Sequence, residues 1–163
     1  MTYPEYIVSK YGTSGILLDT NVLLLLLVGE QDVSIIPKFK RTKIYSTDDF
    51  ASLKKYVNAF SAIVTTPNIL TEVSNLADSM LDDVRTRFFE GTQTRFLSLE
   101  EHYFPSRALT ASKFYLRFGL SDSSVYELVK AKYPVVTDDL ELYNALIHDQ
   151  IDALNINHFR SLA

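Results

Sequence analysis

The sequence predicts an α/β fold of three layers, α/β/α, around a central parallel sheet of four to five strands. Three observations carry that reading. Short runs of Ile, Leu and Val ending in polar residues recur along the chain, longer segments of helical spacing separate them, and no run alternates so as to leave one face wet. Strands buried on both faces and alternating with helices form parallel sheets covered on each side.

Taken in order, the first strand is Gly15-Ile16-Leu17-Leu18, closed by Asp19. After Ser46-Thr47-Asp48, whose oxygens suit an N-cap, Phe50, Leu53, Val57 and Phe60 recur at three- and four-residue steps and predict an amphipathic helix. The second strand is Ala62-Ile63-Val64-Thr65. Thr66-Pro67 then opens a helix with a cap residue followed by a proline whose missing N–H costs nothing there, and Ile69, Leu70, Val73, Leu76, Ala77 and Met80 form its apolar stripe. Helical patterns follow over residues 82–90, 108–116, 123–132 and 140–149, with Gly91 and Gly119 as stops. Arg95-Phe96-Leu97-Ser98 and Pro134-Val135-Val136-Thr137 are expected as further strands, and residues 153–156 as a short last one.

The 163 residues fit one domain, which at this size buries about 70% of its extended surface without a disulfide or structural metal. No cysteine is present, which removes thiol nucleophiles and cysteine-ligated zinc. The longest apolar stretch, residues 16–28, is interrupted by Asp19-Thr20-Asn21 and falls short of the ~20 residues of a membrane span. No basic segment precedes it in the manner of a secretory signal, so a soluble, cytoplasmic protein with no membrane contact is expected. Twenty acidic against sixteen basic side chains leave a net charge of −4, which by itself counts against a strongly nucleic-acid-binding surface.

Ligands of parallel sheets collect at the carboxyl ends of the strands. Asp19 follows the first strand there, and Asp138 and Asp139 follow Val135-Val136-Thr137. With about 100° per residue and Ile69 at zero, the stripe of the Thr66-Pro67 helix spans about −20° to +100° and Glu72 lies near −60°, at its border. Gly119-Leu120-Ser121-Asp122 opens another helix and puts Asp122 beside its N-terminus, at the same end of the sheet if the crossover is right-handed. Carboxylates crowded in this way raise one another's pKa unless cations compensate. All-oxygen ligation selects Mg2+ or Mn2+, and the chemistry that follows is metal-assisted hydrolysis of a phosphodiester by one or two ions. Two divalent cations would offset the whole net charge of −4.

Simpler roles exist for several of these residues. Asp138, Asp139, Ser121 and Asp122 suit helix caps, and Glu72 suits a solvated helix face. Asp19, set between Leu18 and the apolar run 22–28, has no comfortable surface role, and a buried carboxylate without a partner is expensive. His102, His148 and His158 show no ligand spacing. Lys38, Lys40, Arg41 and Lys43, followed by Tyr45, are a candidate nucleic-acid contact, the cations for phosphate and the aromatic for a base. Arg85, Arg87 and Arg95 are a weaker one.

Four segments resemble, in order, the landmarks of the PIN-domain family of small metal-dependent nucleases, which includes the VapC-like toxins. They are Ile16-Leu17-Leu18-Asp19-Thr20-Asn21-Val22, Thr66-Pro67-Asn68-Ile69-Leu70-Thr71-Glu72-Val73, Phe118-Gly119-Leu120-Ser121-Asp122-Ser123 and Val135-Val136-Thr137-Asp138-Asp139-Leu140. The resemblance spans residues 15–157 and implies a single PIN-like domain over 1–163, with an N-terminal extension at 1–14 and an insertion at about 30–60 holding the basic run and a helix. It implies Asp19, Glu72, Asp122 and Asp139 as metal ligands and catalytic residues, Asp138 as the alternate to Asp139, and Asn21 and Thr137 as hydrogen-bonding supports. An endoribonuclease is the implied activity, with the toxin of a type II toxin–antitoxin pair as a setting, and an antitoxin and a second copy of the chain as partners. Two rivals remain. Aspartyl-phosphate hydrolases need a second carboxylate two residues after the first, where this chain has Asn21. A non-catalytic PIN-like module binding RNA or protein typically lacks one or more of the acidic positions, and all four are present.

Overall fold

The computed structural model describes residues 1–130 and 132–161; Ala131, at the end of the helix predicted over 123–132, and positions 162–163 lie outside the described residues. Four of the apolar runs are strands: β1 (Ile16–Leu18), β2 (Ile63–Thr65), β4 (Val135–Thr137) and β5 (Ala153–Asn155), every residue of them buried. With β3 (Glu100–Glu101) they form one all-parallel sheet in the order β3-β2-β1-β4-β5. The fold is the three-layer α/β/α arrangement that the continuous apolar strands demand.

The third strand differs from the sequence reading. Arg95 and Phe96 end the helix α5 (Asp82–Phe96), and the strand comes later, at Glu100–Glu101. Gly91 does not stop that helix, because it lies against Gln31 at the end of α2 (Thr20–Gln31), where a Cβ would come within 1.9 Å of the Gln31 side chain. Glycine thus buys close approach at a helix-propensity cost of about 1 kcal/mol, and the Arg95–Glu30 ion pair at 3.1 Å fastens the same contact. As an edge strand with two exposed glutamates, β3 discourages further strand pairing.

The predicted helix over 108–116 is also revised. A short α6 (Ser106–Leu109) is followed by turns, and α7 (Tyr115–Val129) begins after Phe114, whose buried ring stacks on Tyr126 with centroids 4.1 Å apart. Gly119 does break the helical path. Its φ of 79° and ψ of −168° fall in a region essentially confined to glycine, so α7 is two helical pieces joined at a corner.

The remaining helices are α3 (Thr47–Val57), α4 (Pro67–Ala77) and α8 (Leu140–His148), each with the side-chain N-cap its sequence offers: Ser46, Thr66 and Asp139. Residues 1–14 hold α1 (Tyr3–Tyr11), which buries Ile7 and Tyr11. Asp152, just before β5, anchors it by accepting hydrogen bonds from Lys10 Nζ at 2.7 Å, Tyr11 OH at 2.8 Å and Tyr3 OH at 2.9 Å. Between α2 and α3 the chain runs through successive turns that bury every third residue, Ile36, Phe39, Thr42 and Tyr45. That spacing turns Lys38, Lys40, Arg41 and Lys43 outward. Among the described residues, no helix is long and apolar enough to cross a membrane.

Candidate functional site

Strand order reverses at β1. The chain steps from β1 to β2 to β3 in one direction and returns to place β4 on the other side of β1, so a crevice opens between the carboxyl ends of β1 and β4. The acidic residues gather there. Among the described residues, Asp19, Glu72, Asp122, Asp138 and Asp139 line one cleft of about 230 Å³, together with Thr20 and Asn21, and no lysine or arginine does.

Asp19 sits at the floor, 6% exposed. Its backbone N–H still pairs with Val136 across the β1–β4 junction, and its Oδ1 accepts from Val22 N–H at 3.0 Å as the N-cap of α2. Oδ2 accepts from the Thr137 hydroxyl and from Asp138 N–H at 3.3 Å. Thr137 Oγ1 in turn accepts from Asp139 N–H at 2.9 Å, so this hydroxyl ties Asp19 to the first residues after β4.

Each of the other carboxylates has its own holder. Thr20 Oγ1 donates to Glu72 Oε2 at 2.7 Å, joining the start of α2 to α4. Asp138 accepts from Asn21 Nδ2 at 3.2 Å and from Tyr45 OH at 2.6 Å. Asp139 Oδ1 caps α8 by accepting from Glu141 and Leu142 N–H. Asp122 lies one turn beyond the Gly119 corner. That corner is clamped by Ser123 Oγ donating to Gly119 O and by the buried pair Thr66 and Ser124, whose oxygens are 2.7 Å apart. Since Ser124 Oγ already donates to Ser121 O, Thr66 is the donor, and it links the cap of α4 to α7.

The electrostatics follow from crowding like charges in a poorly solvated crevice. Burial, then the Asp138 charge, pushes the Asp19 carboxyl up to about 8, against the opposing pull of Thr137 and Val22. Burial, then the charges of Asp139 and Glu72, raises Asp122 to about 7. The cleft is therefore short of positive charge, and its donors are all oxygen, the chemistry of a hard divalent cation. The carboxylates line the cleft without closing on a point: among the described residues no three Asp, Glu or His groups are near enough to hold an ion.

Other predicted contacts lie elsewhere. Lys38 and Lys40 flank a separate apolar groove with Phe39, Met80 and Leu81, and Lys38, Lys40, Arg41 and Lys43 are all exposed and outside the acidic cleft. Tyr45 is not an exposed platform for a base. It is 5% exposed, and its hydroxyl faces Asp138. Arg85, Arg87 and Arg95 are paired with Asp78, Asp83 and Glu30. His102 pairs with Glu100 and His148 with Asp149, away from the cleft. Thr20 and Tyr45 are the residues whose role at this cleft sequence reasoning misses, since the sequence offers Tyr45 only as an aromatic for a base. A hydroxyl directly after Asp19 was a legible signal for the first, whereas Tyr45 reaches Asp138 across 93 positions. No protein-family model matches this chain, and no curated protein matches it.

Proposed function

We propose that this chain is a metal-dependent endoribonuclease of the PIN-domain kind, hydrolysing RNA phosphodiester bonds with Mg2+ or Mn2+. The observation that carries this reading is the gathering of four separately predicted acidic segments along one cleft at the strand-order reversal, which no lysine or arginine lines among the described residues. Asp19, Glu72, Asp122 and Asp139 would hold the ion, with Asp138 the alternate to Asp139. A divalent cation there supplies Lewis acidity for the phosphate and acidifies water for attack.

The protein's own contribution is positioning. Thr137, Thr20, Asn21 and Tyr45 each donate to a carboxylate and hold it at the cleft wall. Cytoplasmic location, an antitoxin partner and pairing with a second copy belong to the same reading, on the resemblance alone.

The test is hydrolysis of a fluorescent oligoribonucleotide with and without Mg2+ or Mn2+. Asp19→Asn and Asp122→Asn each remove cleavage, by more than the about 10–100-fold that loss of an outer partner of a metal ligand costs, while circular dichroism shows the fold kept. Magnesium-dependent cleavage retained by purified Asp19→Asn protein would overturn the proposal.

A second reading, a non-catalytic module of the same fold that binds RNA or protein, draws on the open spacing of the carboxylates. The two separate on thermal stability: a nuclease site raises the melting temperature when Mg2+ or Mn2+ is added, and a non-catalytic module shows no such rise.

A further inference from the structure

Beside the acidic cleft lies a larger groove of about 500 Å³, between the start of α4, the segment after β3 and the corner at Gly119. The two share a wall, since Glu72 lines both. Their chemistry differs. Glu72 is the one charged side chain lining the groove among the described residues; the rest is neutral, with Asn68, Asn75, Tyr103, Phe104 and Phe118 prominent.

Two features indicate what such a groove takes. Tyr103 is 76% exposed, unusual for a large ring that the fold does not need as core. The side-chain amides of Asn68 and Asn75 are engaged in no hydrogen bond among the described residues, which leaves donors and acceptors for a ligand edge. A neutral, planar, hydrogen-bonding group therefore fits the groove, and the acidic cleft adjoins it through Glu72. A nucleotide presents a base beside its phosphate in that arrangement.

We propose that the groove between α4, residues 102–106 and the Gly119 corner is a nucleobase subsite, holding the base of a nucleotide next to the scissile phosphate of a single-stranded RNA. Tyr103 supplies the stacking face, and Asn68 and Asn75 meet the edge of the base. The occupant must be unpaired, because a base within a duplex cannot present its face to Tyr103. This inference rests on the nuclease reading for its substrate but not for its binding chemistry.

The experiment titrates the whole protein, in chelator, with uridine or adenosine 5′-monophosphate and follows the side-chain amide NMR signals of Asn68 and Asn75. Saturable shifts are expected, with affinity about tenfold weaker in Tyr103→Ala and kept in Tyr103→Phe, since stacking depends on the ring. Asn75→Ala serves as a second, independent variant and weakens the same binding. In cleavage assays Tyr103→Ala raises KM about tenfold and leaves kcat within about twofold. Tyr103-dependent binding without any metal-dependent cleavage would support the subsite and sink the nuclease reading. Cleavage indifferent to Tyr103→Ala would overturn the subsite and leave the nuclease reading standing. Absence of nucleotide-induced shifts at Asn68 and Asn75, as for a groove that takes a peptide, would overturn the subsite as well.

Discussion

Asp19 performs two tasks with its two oxygens. Oδ1 caps α2 and Oδ2 receives Thr137, so the carboxylate cannot rotate without breaking one or the other. Tyr45 does for Asp138 what Thr137 does for Asp19. Burial, then its hydrogen bond to Asp138 and that residue's charge, pushes the Tyr45 phenol above its ordinary pKa, so it stays a donor throughout the physiological range. Removing only the hydroxyl, in Tyr45→Phe, leaves the buried ring in place and frees Asp138. The expected result is a fall in kcat of about tenfold with KM little changed, measured by steady-state cleavage, and a loss of stability of about 1 kcal/mol in urea denaturation. Of these contacts, the carboxylates were legible in the sequence because an aspartate after an apolar run has few other uses. Of their holders, Asn21 and Thr137 are expected only from the resemblance, and Thr20 leaves only the hint of a hydroxyl beside Asp19. Tyr45 is not legible as a holder, because a tyrosine carries no local mark of the partner it will find.

At the scale of elements, caps and corners decide where the carboxylates stand. Thr66-Pro67 fixes the start of α4 from local sequence, and with it the turn that carries Glu72. Gly119 does the same for Asp122 by allowing a backbone corner that a residue with a Cβ adopts only under strain. The α1 helix illustrates a different dependence. Burial alone would raise the Asp152 carboxyl, but hydrogen bonds from Lys10, Tyr11 and Tyr3 outweigh it and hold the group below its ordinary value. A depressed folded-state pKa means stability that is present above the ordinary carboxylate pKa of about 4 and is lost as pH falls through the lower folded value. Asp152→Asn is therefore expected to lower Tm at pH 7 by about 5 °C, and its gap from the parent protein narrows as pH drops below about 4. Scanning calorimetry across that range checks both. The misplaced third strand belongs to this scale too: residues 95–98 are apolar enough for a strand, but the packing of α5 on α2 carries the helix through to Phe96.

For the whole molecule the proposed nuclease reading raises the question of how a chain of net charge −4 would approach a polyanion. Five carboxylates line the cleft, whereas Lys38, Lys40, Arg41 and Lys43 are turned outward by the buried triplet spacing of Ile36, Phe39, Thr42 and Tyr45. On the proposed reading, this separation would let an RNA long enough to leave the cleft meet cations at a distance from the carboxylates. Affinity should then fall with salt, and each of Lys38→Glu and Lys40→Glu should reduce the log–log salt slope by about 0.7 or more, read by fluorescence anisotropy of a labelled single strand at several ionic strengths. An unchanged slope would remove these lysines from the interface.

The sequence by itself determined the fold class, four of the five strands, the caps of α3 and α4 and the acidic positions after β1 and β4. These are consequences of periodicity and of side chains bonding to backbone a few residues away, and both are written locally. Tertiary structure alone decided that β4 lies beside β1, which brings Thr137 to Asp19 across 118 positions and Tyr45 to Asp138 across 93. It also decided that α4, the segment after β3 and the Gly119 corner enclose a neutral groove against the acidic cleft. The physical reason is that such contacts are selected by the packing of whole elements, whose free energy is spread over many residues and leaves no short pattern in any one segment.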